Sequence, residues 1–117
     1  MSHPFKNYEV EALRALLAPE LSSQRLDEVL DRSGNNQVEY TNYGFYVTVD
    51  EASIGSTRRV YSEPALIARF NGREAGFVAF LENNQLTLET HPWDGEGLPP
   101  DYRDGDVQIV GTLPHGE

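Results

Sequence analysis

His3, His91 and His115 are the chain's only imidazoles, and five of its carboxylates, Asp94, Glu96, Asp101, Asp104 and Asp106, crowd into one short stretch. Such groups could hold a hard cation through oxygen ligands or run general acid–base chemistry, so their spacing decides what they are for. No two histidines share a helical turn, as a helical zinc motif requires. The order Asp101, Tyr102, Arg103, Asp104, Gly105, Asp106 puts a cation where an EF-hand needs an acid or amide, and no glutamate closes the loop. The stretch Ser53, Ile54, Gly55, Ser56 lacks both the lysine of a phosphate-binding loop and the flanking glycines of a nucleophile elbow, and is a turn. With no cysteine there is no disulfide, thiolate nucleophile or cysteine zinc site. These residues select no reaction, no catalytic residue, no metal and no cofactor, and the expectation is a protein that is not an enzyme.

Charge points in a more definite direction. Residues 82–117 hold eight acidic side chains against the single cation Arg103, so that segment carries −7 of the formal −10. Trp93 and Tyr102 lie within it. An acidic stretch bearing aromatics suits a basic protein partner: the charge attracts over distance and the rings supply a desolvated centre. The expected contact residues are Trp93, Asp94, Glu96, Asp101, Tyr102, Asp104 and Asp106, with Arg103 orienting the carboxylates around it. Trp93 has a structural alternative as a lid over one end of a sheet. Net charge of −10 argues against nucleic acid or an anionic membrane as direct partner, because no basic patch exists to displace counterions from phosphates. Arg58 and Arg59 are adjacent without a third cation, which fits a solvated turn.

The elements that must position these residues are an α+β set in one domain spanning 1–117, a length that supports a single core. Val10, Leu13, Leu16 and Leu17 recur at helical spacing after Asn7, a candidate cap, and Pro19 stops the run. Leu26, Val29 and Leu30 mark a second helix over 23–33, with Glu28 set to pair with Arg32 and Gly34 as the residue that ends it. The period then becomes two. Val38 and Tyr40 have opposite parity to Tyr43, Phe45, Val47 and Val49, so a hairpin or a bend falls near Thr41 and Asn42. Three runs, 65–70, 75–81 and 85–90, are joined by two tight turns, Asn71-Gly72, the pair that type I′ turns prefer, and Asn83-Asn84, and form an antiparallel meander. The middle run is apolar on both parities and should lie centrally. A proline- and glycine-rich passage, 91–106, precedes a last strand over 107–113. The prediction is a two-helix hairpin, helices over about 7–33, packed on an antiparallel sheet of about five strands over about 37–113, with a flexible tail at 114–117.

The run Ala75-Gly76-Phe77-Val78-Ala79-Phe80-Leu81-Glu82, then Leu86-Thr87-Leu88-Glu89, Trp93 and Leu98-Pro99-Pro100-Asp101-Tyr102-Arg103, resembles small acidic bacterial immunity proteins of contact-dependent inhibition and related polymorphic toxin systems. The resemblance covers those segments and implies a cytoplasmic inhibitor that binds a cognate toxin domain, often a basic nuclease, whose phosphate-binding cleft an acidic loop could fill. Residues 1–20 contain no uninterrupted apolar stretch, in keeping with a cytoplasmic location. Two alternatives stay open: a small-molecule-binding domain or minor enzyme with a pocket between helices and sheet that uses His91, and a dimer formed through an exposed sheet edge. Oligomeric state is left undetermined by the sequence.

Overall fold

The computed structural model describes residues 3–113. Helix α1 spans Asn7–Leu17 and α2 spans Ser23–Arg32, followed by strands β1 (Gly34–Tyr40), β2 (Phe45–Asp50), β3 (Arg59–Tyr61), β4 (Leu66–Phe70), β5 (Arg73–Glu82), β6 (Gln85–Pro92) and β7 (Gln108–Thr112). The architecture is α+β, with seven antiparallel strands where about five were expected. Two of the seven are weak in sequence: β1, Gly34-Asn35-Asn36-Gln37-Val38-Glu39-Tyr40, is mostly polar and forms one arm of the hairpin expected near Thr41 and Asn42, and β3 has only three residues. The expected tail at 114–117, with His115, lies outside the described residues. No helix is long and apolar enough to cross a membrane among those described.

Strand order is β1-β2-β6-β5-β4-β7, with β3 pairing the far half of β5 beyond β4. The meander forms as predicted: Asn71 and Gly72 have φ of 53° and 75°, and Asn83 and Asn84 of 53° and 59°, the left-handed pairs of type I′ turns. β5 is central and buries Ala75, Phe77, Ala79 and Leu81 on the helix side. The parity conflict between Val38 and Val47 resolves as a hairpin whose loop is Asn42 and Tyr43. It sets Val38 opposite Val47 and Tyr40 opposite Phe45, so all four share one face. Tyr43 therefore sits in the turn, not on the strand.

Both helices cover the face built by Phe45, Val47, Val49, Phe77, Ala79, Leu81, Leu86 and Leu88, burying Leu13, Leu16, Leu17, Leu26, Val29 and Leu30 against it. Their ends differ from the sequence expectation. Lys6, not Asn7, is the N-cap of α1, and its backbone N–H donates to Glu9 Oε1 at 2.8 Å. Ser22 caps α2 by accepting from Arg25 N–H at 3.1 Å. That helix ends without a glycine, because Ser33 turns back to donate from its hydroxyl to Leu30 O at 2.8 Å and Gly34 already belongs to β1. Glu28 pairs with Arg25 at 3.1 Å, three residues before it, rather than with Arg32. Residues Ala52–Ile54 form a single 3-10 turn whose cap Glu51 accepts from Ser53 N–H, so the serine stretch is a turn. Arg58 and Arg59 are not merely solvated: Arg58 bonds Glu82 at 2.8 Å and Arg59 pairs with Glu20.

Candidate interface at the strap end of the sheet

The carboxyl-terminal acidic passage, residues 93–106, straps one end of the sheet from its open face to its helix face. On the open face the Trp93 indole lies across Gly76, where an added Cβ would stand 2.5 Å from the ring, so the close approach depends on glycine. Its Nε1–H donates to Leu66 O at 3.0 Å and its backbone N–H to Glu74 O at 3.0 Å. The ring is still 38% exposed, combining a lid with an accessible edge. His91 meets it edge-on, with ring centroids 5.0 Å apart, on the face opposite the helices.

Arg73 gathers the next turn of the strap. Its Nε and Nη2 donate to the Asp94 carboxylate at 3.1 and 3.2 Å, and Nη2 donates to the carbonyls of Glu96 and Gly97 at 2.8 and 3.2 Å. The bond from Arg73, with a second from Glu96 N–H, holds the Asp94 carboxyl below its ordinary range. Leu98 N–H then donates to Tyr43 O at 2.8 Å, docking the strap onto the β1–β2 hairpin.

Two expected surface residues are internal. Tyr102 is fully buried: its ring stands edge-on to Phe70 at 5.8 Å, its hydroxyl donates to Arg73 O at 3.1 Å, and burial pushes its pKa up to about 12. A partner cannot reach it, so Tyr102 leaves the set of contact residues. Arg103 does not orient carboxylates of its own loop. It turns inward to Glu9, donating from Nε and Nη2 at 2.9 Å each, and from Nη2 to Pro4 O at 2.6 Å. Burial works against its charge, but the bonds to Glu9 and the glutamate's charge prevail and raise its pKa. Tyr8 completes the cluster, its hydroxyl donating to Arg103 O at 3.1 Å; burial first, then the charge of Glu9, push its pKa up. Glu9, an acid in the first turn of α1, is thus the fully buried partner of the strap's one cation. The two groups can be buried together because two charge-assisted bonds join them, with Lys6 N–H and Pro4 O taking further bonding positions.

What remains outside is narrower than the composition suggested. Asp94 is matched by Arg73, and Asp104 by Lys6 at 3.1 Å. Of the segment's other acids, Glu82 faces Arg58 and Glu89 lies beside Tyr46 on the sheet. Glu96, Asp101 and Asp106 are exposed and have no ion pair among the described residues. Two aromatics that the sequence reading missed join them: Tyr40 and Tyr43, each 51% exposed on the hairpin against which the strap docks. Their signal was the Thr41-Asn42-Tyr43-Gly44 turn, which puts Tyr43 at a tip, and a polar strand that leaves Tyr40 uncovered. Trp93, Tyr40 and Tyr43 therefore mark the same end of the molecule as the unpaired carboxylates.

The space between helices and sheet, where the small-molecule alternative would place its pocket, is occupied by core side chains, and His91 lies on the opposite face of the sheet. A groove of about 580 Å³ does lie along α1 and α2, between Val10, Arg14, Asp27 and Leu30, far from His91. No group of three or more His, Cys, Asp or Glu among the described residues is arranged to hold a metal ion.

No family model matches the chain, no curated protein sequence matches it, and no solved structure matches its fold.

Proposed function

We propose that this chain is a non-catalytic protein-binding module that captures a basic partner at the strap end of its sheet. In its specific form the proposal is a cytoplasmic immunity protein that neutralises a cognate bacterial toxin domain, such as a nuclease. One observation carries it: exposed Trp93, Tyr40 and Tyr43 lie at the same end of the sheet as Glu96, Asp101 and Asp106, acids with no ion pair among the described residues, on a chain of formal charge −10. Lone exposed carboxylates contribute little to affinity, but together they steer a cationic surface and speed encounter. Holding the complex then falls to the aromatics, whose large surfaces can be desolvated on contact. A strap tied at both ends, by Arg73 and by Arg103, presents these groups in one arrangement and lowers the ordering cost of binding.

The test is growth rescue. The domain encoded immediately upstream of this chain's reading frame is expressed in bacteria with and without the chain, and the rate of complex formation is measured against salt. The proposal expects toxicity relieved by the chain, with association slowing steeply as ionic strength rises. A harmless upstream product, or a chain that gives no protection, overturns the immunity reading; salt-independent association overturns the electrostatic one.

A further inference from the structure

The free edge of the sheet at β1 continues this same end of the molecule. In the hairpin, Thr41 N–H donates to Gly44 O, which makes 41 and 44 a hydrogen-bonded pair. Bonded and non-bonded pairs alternate along an antiparallel ladder. Glu39 opposite Tyr46 is therefore bonded, whereas Tyr40 opposite Phe45 and Val38 opposite Val47 are not. The backbone N–H and C=O groups of Val38 and Tyr40 consequently point away from β2, along an edge that no further strand pairs among the described residues. The same two residues carry exposed apolar side chains, 38% and 51% accessible, because the helices do not extend over β1. A groove of about 480 Å³ runs along this strand between Gln37, Glu39, Tyr46 and Thr48.

We propose that β1 is a strand-addition site for an extended basic segment of the partner, one that alternates apolar and cationic residues. Its apolar side chains would cover Val38 and Tyr40, and its backbone would complete the bonds those residues leave open. Charge selects the cation. The residue facing Glu39 on an added antiparallel strand occupies a close, non-bonded pair, where unlike charges attract and like charges repel. Behind Glu39 in the same cross-strand row stand Tyr46 and Glu89, so the row is acidic, and no cation pairs with Glu39 among the described residues. A second copy of the chain would bring another net −10 to this edge. The opposite edge, β7, is a poorer template: its ladder with β4 breaks at a bulge between Ile67 and Ala68, and it bears no charge to choose a partner.

This inference rests on the proposed binding function, and its test separates the two. An acetylated peptide of alternating valine and lysine is titrated into the labelled protein, and backbone amide shifts are followed by NMR. Saturable shifts over residues 37–40 are expected, absent when glutamate replaces lysine in the peptide. Val38→Pro removes an outward N–H, which an edge strand tolerates, together with the valine side chain the added strand would cover, and should weaken binding about tenfold. Glu39→Lys, which leaves every backbone bond in place, should weaken it as well. Shifts confined to the surroundings of Glu96, Asp101 and Asp106, indifferent to Val38→Pro, overturn strand addition and leave the basic-partner proposal standing. No shift anywhere overturns strand addition, and growth rescue then decides the wider function alone. A dimer that Val38→Pro dissolves assigns the edge to a second copy and overturns the partner strand.

Discussion

The strap and the β1–β2 hairpin meet at one end of the sheet and are built from the same residue types, yet they treat those types oppositely. On the strap, Tyr102 and Arg103 are buried and hydrogen-bonded, Tyr102 to Arg73 O and Arg103 to Glu9 and Pro4 O. On the hairpin, Tyr40 and Tyr43 stand half exposed and Glu39 has no ion pair among the described residues. The strap must cross from one face of the sheet to the other, and its polar groups pass through the core boundary, where an unpaired charge costs several kcal/mol. The hairpin projects past the edge of the helical layer, where exposure costs its acids nothing. Adjacent regions of one surface thus divide labour: one fastens, the other presents.

The largest effect should come from the fastening. Glu9→Leu alone strands a buried guanidinium and should cost about 3–5 kcal/mol in denaturant unfolding, while Glu9→Leu with Arg103→Met should recover most of the loss. Singles within about 1 kcal/mol of wild type would place the pair in solvent. Tyr102→Ala should cost about 3–5 kcal/mol, whereas Tyr43→Ala should stay within about 0.5 kcal/mol. Equal costs at the two positions would erase the contrast between the regions.

A pH series sharpens it further. Tyr102 and Tyr8 have folded pKa values raised above the ordinary 10.0, that of Tyr102 to about 12, so the folded form keeps protons that the unfolded chain releases. The stabilisation from Tyr102 is complete below the ordinary value and is lost as pH climbs from about 10 to about 12, while that from Tyr8 continues to fall at higher pH. Tyr102→Phe should flatten that alkaline loss, and an unchanged slope would argue against the buried hydroxyl. The smallest effects belong to the exposed pairs. Asp94, depressed by Arg73, contributes above the ordinary carboxylate range and loses its contribution as pH falls through its lowered value, a slope that Asp94→Asn removes. Lys6→Gln should change stability by less than about 1 kcal/mol.

Local signals in the sequence carried the α+β class, the two helices, the meander with its Asn-Gly turn and the central position of β5. Each follows from side-chain periodicity or from the φ preference of a dipeptide, and these are read within a few residues. Composition likewise revealed the acidic carboxyl-terminal segment and the chance that Trp93 lies over a sheet end. It did not reveal which acids face solvent. Glu9 and Arg103 are 94 residues apart in the chain, and nothing local tells a solvated glutamate in a first helical turn from one buried against an arginine. The same holds for Tyr102 and Tyr40: both lie in polar surroundings, and only the path of the strap and the reach of the helices made one a core residue and the other an exposed one. Periodicity is a property of neighbours along the chain, whereas burial is set by what the rest of the chain brings up against them.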